Sequence, residues 1–127
     1  MQTYGTIALS LTLGLAASLP IPAALGDFPE KPIEFVIPFA AGGGADIEGR
    51  TLAEEMSEIL GVPVVPVNKS GAGGAVAYTY INNAAPDGYT VVWNSTSILT
   101  VTNLGNVPFG HDAMDHIGRV EYQPMVF

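Results

Sequence analysis

The fold is decided within residues 33–46, which read IEFVIPFAAGGGAD. The first five, Ile33–Ile37, are mostly apolar and β-prone, so they predict a buried strand that ends at Pro38. The small residues that follow, 39–45, form a flexible glycine-rich turn. Asp46 is well placed to cap a helix after this turn, because a capping carboxylate accepts free N–H groups of the first helical turn. The stretch therefore predicts a strand, a loop and a helix in immediate succession.

The predicted helix runs from Asp46 to Leu60. Its apolar residues are spaced i, i+4, i+7 and i+8, which places them on one face of a helix. They are Leu52, Met56, Ile59 and Leu60. Glutamates occupy the opposite, solvent-facing side. Gly61 stops the helix, and Pro63 prevents its continuation.

A second strand is predicted over Val62–Val67, and its two prolines favour a sheet edge because each removes a backbone donor. A second glycine loop, Asn68–Gly74, then opens a small-residue helix of roughly Ala75–Ala84. The residues expected on one apolar side of this helix are Val76, Ala77, Tyr80, Ile81 and Ala84.

A third strand, Tyr89–Trp93, follows the turn signal Pro86-Asp87-Gly88 and runs into Ser95-Thr96-Ser97. Strands that alternate with helices through short loops predict an α/β fold with a mostly parallel sheet and right-handed crossovers. Ligands of such sheets bind outside the carboxyl ends of the strands. Both glycine loops and the hydroxyl residues follow their strands, so we expect them to converge at that edge. Beyond them we expect a short helix near Asp112–Ile117 and a last strand around Arg119–Phe127.

The amino-terminal residues 1–26 contain no charged side chain and include an apolar run over 7–19. A run of this length is typical of a signal peptide rather than a membrane span, which needs about 20 residues. Small residues occupy the positions up to Gly26 that a signal peptidase reads. We place the cleavage of the signal peptide after Gly26 and expect the protein to be exported. The missing Lys or Arg before the apolar run departs from the pattern, so an uncleaved anchor or a buried hydrophobic helix stays open.

The composition bounds the class of protein. The 127 residues suffice for one modest domain, and 48% hydrophobic against 13% charged residues excludes a disordered chain. The formal net charge of -8 repels nucleic acid and anionic membranes, so we expect no nucleic-acid partner. An anionic ligand must then be held by local dipoles. The absence of cysteine excludes a disulfide framework and thiolate chemistry.

The two glycine loops are candidates for anion binding. Loops that lead into helices leave backbone N–H groups unpaired, and the helix dipole adds partial positive charge there. The hydroxyls of Ser95, Thr96 and Ser97 add donors, and Asn68 can donate or accept. The alternative for each loop is that its glycines serve tight turns and close helix packing. A carboxylate such as Asp46 is unexpected beside an anion site, and capping of the helix N-terminus explains it. This role is compatible with Asp46 also orienting a ligand amine or a bound water.

Enzyme motifs fit the sequence poorly. Gly42-Gly43-Gly44 lacks the following Gly-Lys-Ser/Thr of a Walker loop, and Gly71-Ala72-Gly73 lacks the acidic residue that closes a dinucleotide fingerprint. His111 and His116 do not share a helix face, so a solvated turn is favoured over a metal site. We therefore expect no catalytic residue, metal or cofactor. A nucleotide- or phosphoester-handling α/β enzyme domain stays open as the alternative.

The order and spacing of four motifs resemble one family, the substrate-binding receptors of tripartite tricarboxylate transporters, also called the Bug family. The motifs are Lys31-Pro32-Ile33, Pro38–Gly43 with Asp46, Asn68 with Gly71–Gly74, and Ala84–Thr90, with a looser match from Val107 to Ile117. Together they cover nearly all of residues 27–127. Such an ordered set is far more specific than one glycine loop.

The resemblance implies a lobe of a type II periplasmic-binding fold whose two lobes close on a small carboxylate, such as a dicarboxylate, tricarboxylate, aromatic acid or amino acid. A membrane permease would be the partner, and the complete receptor is expected to be a periplasmic monomer. Residues 27–118 would form the first lobe and 119–127 the start of a strand crossing to a second lobe absent here; a fragment without function is a further alternative. The positions implied to line the ligand are Phe39, Ala40, Ala41, Gly42, Gly43, Asp46, Asn68, Gly71, Ala72, Gly73, Ser95, Thr96 and Ser97.

Overall fold

A computed structural model describes residues 27–122. Strands and helices alternate along this part of the chain, and its three strands form a parallel sheet in the order β2-β1-β3. The predicted α/β class with a parallel sheet is therefore confirmed. The elements are β1 (Ile33–Ile37), α1 (Gly44–Leu60), β2 (Val64–Asn68), α2 (Ala75–Asn82), β3 (Thr90–Val92) and α3 (Ser97–Asn103), with 3-10 turns at Ala72–Gly74 and His111–Ala113.

The carboxyl ends of the central strand β1 and of its neighbours β2 and β3 lie at the same edge of the sheet. Ile37 pairs with Asn68 of β2, and Val36 pairs with Val92 of β3. The amide of Lys69 continues the ladder by donating to the Ile37 carbonyl at 2.9 Å. Within the described sheet β2 is an edge strand, as its prolines predict. The loops after the three strands therefore leave the sheet at one common edge.

Helix α1 packs on one face of the sheet. The core there consists of Ile33, Phe35, Ile37, Ala53 and Val64, and Leu52, Met56 and Leu60 pack against it as predicted. Ile59 is 82% exposed, so its predicted place on the buried face is wrong. The reason is a close approach at Gly49, where a Cβ would lie 3.0 Å from Cδ1 of Ile37. Since the helix meets the sheet along Gly49 and Ala53, Ile59 is turned to solvent.

Helices α2 and α3 share a second core cluster. Its members are Ala75, Tyr78, Ile98, Val101 and Val107. Val76 and Tyr80 are 50% and 39% exposed, so the predicted apolar side of α2 is wrong at these positions, and the helix ends at Asn82. Both side chains cover loop residues instead of entering the core. Val76 stands against Gly71, where a Cβ would come within 2.9 Å of Val76 Cγ2, and the Tyr80 ring lies 3.8 Å from the Lys69 ammonium.

Helix α3 was not expected from the sequence. Its residues, SILTVTN, include four β-branched side chains, which have modest helix propensity. The helix is stabilised by the packing of Ile98 and Val101 into the second core cluster rather than by intrinsic helix propensity. In the described chain no helix is long and apolar enough to span a membrane.

The carboxyl-terminal part of the described chain has little regular structure. The helix predicted near Asp112–Ile117 is wrong, because only the 3-10 turn His111–Ala113 forms there. Residues 119–122 are not in a strand. The rest of the strand predicted over 119–127 lies outside the described residues, as does the predicted signal peptide of 1–26.

Candidate functional site

The first glycine loop connects β1 to α1 and is closed by the side chain of Asp46. The helix begins at Gly44 with Gly43 as its N-cap, and no side chain caps it. The prediction of Asp46 as the N-cap is therefore wrong. Asp46 lies in the first helical turn, only 5% exposed, and its Oδ2 accepts the Gly42 amide at 2.8 Å. Gly42 has a φ of +84°, a conformation that favours glycine.

Asp46, Asn68 and Arg50 form a hydrogen-bonded network, called here the DNR network, that joins the two glycine loops. Asp46 Oδ1 accepts Arg50 Nε at 2.9 Å and Asn68 Nδ2 at 2.8 Å. Asn68 Nδ2 also donates to the Phe39 carbonyl at 3.0 Å, and its Oδ1 accepts Arg50 Nη2 at 2.7 Å. Asn68 at the end of β2 therefore holds the loop that follows β1.

The network keeps the Asp46 carboxyl ionised. Hydrogen bonds from Arg50, then from the Gly42 amide, then from Asn68 lower the pKa of Asp46 from 3.8 to about 2, against the opposing effect of burial. At neutral pH the carboxylate thus carries a full negative charge beside the first loop. Arg50 pairs with that charge one helical turn away, so the local sum of the two charges is near zero.

The second glycine loop has a run of positive φ angles, at Gly71, Ala72, Gly73 and Gly74. Two of its glycines are also required by close packing, since a Cβ at Gly71 would meet Val76 and one at Gly74 would meet Tyr78. The packing explanation of the glycines is therefore correct at these two positions. It does not exclude anion binding, because the glycine conformations also set the directions of the amides.

Backbone amides without an acceptor collect at both loops. Within residues 27–122, the N–H groups of 40, 41, 44 and 45 in the first loop, and of 71–73 in the second, make no backbone or side-chain hydrogen bond. Amides at the first turn of a helix are unpaired for geometric reasons and bind anions readily. The first set of amides follows β1 and the second follows β2, and these adjacent strands end at the same level of the sheet.

The hydroxyl cluster follows β3. Ser97 shares its hydroxyl with Tyr78 at 2.6 Å and with Ser95 at 2.8 Å. Because Tyr78 is fully buried, these bonds fix Ser97 against α2, whereas Ser95 and Thr96 are exposed. The ligand role of all three hydroxyls stays a prediction.

A cavity of about 310 Å³ opens beside this cluster. It is lined by Asn94, Ser95, Thr96, Ile98, Leu99, His111 and His116. Asn94 Oδ1 is buried and has no hydrogen-bond partner among the described residues. The rings of His111 and His116 lie 5.9 Å apart. The described residues contain no group of three or more metal-ligating side chains.

Sequence reasoning missed Arg50, Asn94 and Tyr78. Arg50 follows Asp46 by one helical turn, and this i, i+4 spacing of opposite charges was a readable signal. Asn94 and Tyr78 carried no local signal, since their positions depend on the packing of α3. The structure brings the Phe39–Gly43 segment, Asp46 and Asn68 into direct contact. The Gly71–Gly73 segment lies in the loop after β2, the strand next to β1.

The sequence model of the tripartite tricarboxylate transporter family receptors matches residues 49–127. The chain belongs to this family. Among related receptors, Protein BugT of Bordetella pertussis is 36% identical over 97 residues, which cover 76% of this chain and 28% of BugT. A UPF0065 protein in the gbd 5' region of Cupriavidus necator is 47% identical over 87 residues, which cover 68% of this chain and 26% of that protein. The chain thus spans about a quarter of the length of these curated relatives.

Solved structures of periplasmic binding proteins share the fold of this receptor chain. A TctC solute-binding protein from Polaromonas, solved without ligand, matches with a TM-score of 0.64 and 36% identity over 67% of this chain and 30% of its own. An R. palustris protein solved with adipate matches with a TM-score of 0.55 and 35% identity over 57% and 24%. The prediction of a periplasmic-binding-protein lobe from this receptor family is confirmed.

Proposed function

We propose that this chain forms the first lobe of an extracytoplasmic solute-binding protein that captures a small carboxylate for a tripartite tricarboxylate-type transporter. The observation that carries the proposal is the common sheet edge, where two loops present amides without an acceptor in the described chain. Such amides stabilise an anion without a cationic side chain. This suits a chain with a net charge of -8.

The proposed ligand contacts fall into three groups. Amides of the Phe39–Gly43 and Gly71–Gly73 segments bind carboxylate oxygens. The exposed hydroxyls of Ser95 and Thr96 donate to a second polar group, with Ser97 held behind them by Tyr78. Asp46 and Asn68 border the ligand and hold the first loop in shape.

The wider arrangement is also a proposal. Residues 27–118 form the first lobe, 119–127 start the connection that crosses to a second lobe, and 1–26 act as a signal peptide for export to the periplasm. The complete receptor works as a monomer and delivers its ligand to a membrane permease. Membership of a receptor family supports these assignments, and the adipate in the R. palustris neighbour favours a dicarboxylate.

Three of the four Lys and Arg side chains pair with carboxylates of the chain, which favours binding over catalysis. Lys31 pairs with Asp87, Arg50 with Asp46, and Lys69 with Glu34. Phosphoryl transfer needs cations or metal ions directed at the reacting phosphate. These three side chains are instead committed to carboxylates of the chain, so we propose that the receptor is not an enzyme.

The proposal is tested by NMR titration of the 127-residue chain with adipate and, separately, with ADP. One lobe supplies only part of the contacts of a hinged binder, so we expect a dissociation constant for adipate on the order of millimolar. The amide signals that shift should be those of the two glycine loops and residues 95–97. Shifts with ADP alone, or adipate shifts scattered away from the edge, would contradict the proposal.

A further inference from the structure

We infer that Arg50 is the countercharge of the ligand site: by neutralising Asp46 it allows the glycine loops to accept an anion, and it sets the preference for carboxylates over amines. The inference rests on the proposed function, since it concerns the same sheet edge. Arg50 is a positioning residue in this role, because it acts on the ligand through Asp46 and Asn68 rather than through a contact of its own.

The first observation is the asymmetric exposure of the ion pair. The Asp46 side chain is 7% exposed and the Arg50 side chain 46%, with Nε of Arg50 2.9 Å from Oδ1 of Asp46. The negative end of the pair is thus embedded in the loop, where the surrounding protein screens it less than water would. The positive end lies on the rim. Without Arg50, the Asp46 charge would face the loop amides alone.

The second observation is that this charge sits on the loop itself. Asp46 Oδ2 accepts the amide of Gly42, inside the segment proposed to hold the ligand carboxylate. A ligand anion bound at the first loop would therefore share that short backbone segment with a second anion. Like charges at such short range disfavour one another strongly unless a cation lies near both.

The third observation is that both lysine ammonium groups pair with carboxylates other than Asp46. Lys31 is 3.5 Å from Asp87, and Lys69 is 3.7 Å from Glu34 with its ammonium over the Tyr80 ring. Arg50 contacts both Asp46 and Asn68 at the edge, so it is placed to balance the charge there. Its guanidinium has five N–H donors. Its Nε donates to Asp46 and its Nη2 donates to Asn68.

A charge role of Arg50 and a purely geometric role predict opposite changes in anion binding when Asp46 is replaced together with Arg50. Arg50 also orients Asn68, which reaches the Phe39 carbonyl, so its loss would disturb the first loop even without any electrostatic effect. If geometry alone matters, removing Asp46 as well adds a second defect. If charge matters, removing Asp46 as well restores a neutral edge and with it anion binding.

The experiment measures the dissociation constant of adipate by NMR for the 127-residue chain and four variants: Arg50→Gln, Arg50→Lys, Asp46→Asn and Asp46→Asn/Arg50→Gln. We expect Arg50→Gln to bind about tenfold more weakly, the order of magnitude that Coulomb's law gives for one uncompensated charge close to the ligand near a protein surface. The double variant should bind adipate more tightly than Arg50→Gln, because its edge is neutral again, and Arg50→Lys should fall between Arg50→Gln and the parent. The matched control is Lys31→Gln, which changes the net charge equally at the amino end of β1 and should bind as the parent does.

Putrescine, a diamine of similar length to adipate, provides the second readout. Arg50→Gln should gain measurable binding of putrescine at the first loop, a change that a merely structural role would not produce. The inference is overturned if Arg50→Gln binds adipate like the parent, or if the double variant is as weak as Arg50→Gln or weaker. If the parent chain itself shows no adipate shifts at the loops, the proposed function fails rather than this inference alone. Dispersed amide spectra of each variant check its fold, and Arg50→Lys provides the comparison if Arg50→Gln is unfolded.

Discussion

Replacing Gly74 with alanine should strongly destabilise the fold. Gly74 has a φ of +104°, and a Cβ there would stand 2.8 Å from Cε2 of Tyr78. Tyr78 is fully buried and shares its hydroxyl with Ser97, so its ring cannot retreat without breaking that contact. The added methyl group therefore meets both a backbone penalty and a steric one.

The two penalties can be estimated separately. A non-glycine residue in the left-handed region costs roughly 1–2 kcal/mol, and overpacking a filled core costs roughly 1–3 kcal/mol. Their sum predicts a loss of about 2–5 kcal/mol for Gly74→Ala, a large share of the stability of a small domain, which is about 5–15 kcal/mol. Gly44, the first residue of α1, has no atom of the described chain within 4 Å of its Cβ position and no positive φ. Gly44→Ala is thus a matched control that should change stability by less than about 1 kcal/mol.

Urea denaturation followed by circular dichroism measures both variants against the parent chain. We expect the midpoint of Gly74→Ala to fall with an unchanged slope, and that of Gly44→Ala to remain near the parent value. A loss below about 1 kcal/mol for Gly74→Ala would refute the reasoning, because Tyr78 would then have room that the structure does not give it.

Three further predictions concern the core and the DNR network. Since the pKa of Asp46 is lowered to about 2 in the folded chain, its stabilising effect is present above about pH 4 and lost as the pH falls towards 2; urea midpoints of Asp46→Asn and the parent should therefore converge over that range. Ser57→Ala removes the acceptor of the Val64 amide, a 2.8 Å bond, and should cost about 1–3 kcal/mol of unfolding free energy; a cost below about 0.5 kcal/mol would show that water replaces the hydroxyl. Ile37→Ala in the core should cost about 2–5 kcal/mol and the exposed Ile59→Ala less than about 0.5 kcal/mol, and equal costs in thermal or urea unfolding would contradict the orientation of α1.

The strands and the first helix were predictable because their signals are local. Ile33–Ile37 is an apolar run between breakers, and the spacing of Leu52, Met56 and Leu60 marks a helix face. Helix α3 carried no such signal: SILTVTN has the β-branched composition of a strand and becomes helical through contacts with the second core cluster. Its position in turn decides where Tyr78 and the cavity beside Asn94 lie.

The candidate site was predictable as a set of loops but not as a set of bonds. Glycine after a strand identified both loops, and parallel connection placed them at one edge. The role of Asp46 was predicted as a cap, and it became the centre of the DNR network because Asn68, 22 residues away in sequence, lies within 2.8 Å in the fold. Hydrogen-bond partners so distant in sequence cannot be read from local spacing.

The sequence by itself determined the order of elements from β1 to β3, the common edge of the two glycine loops and the receptor family, since these follow from local periodicity, breakers and motif spacing. Only the tertiary structure decided which apolar residues of the helices are exposed and how Asn68 joins the network around Asp46. The physical reason is close approach: Gly49 lets α1 come nearer to β1 than a Cβ would permit, and this turned Ile59 to solvent. The pairing of β2 with β1 brought Asn68 onto Asp46, where it joins Arg50 in making a carboxylate tolerable beside a proposed anion site.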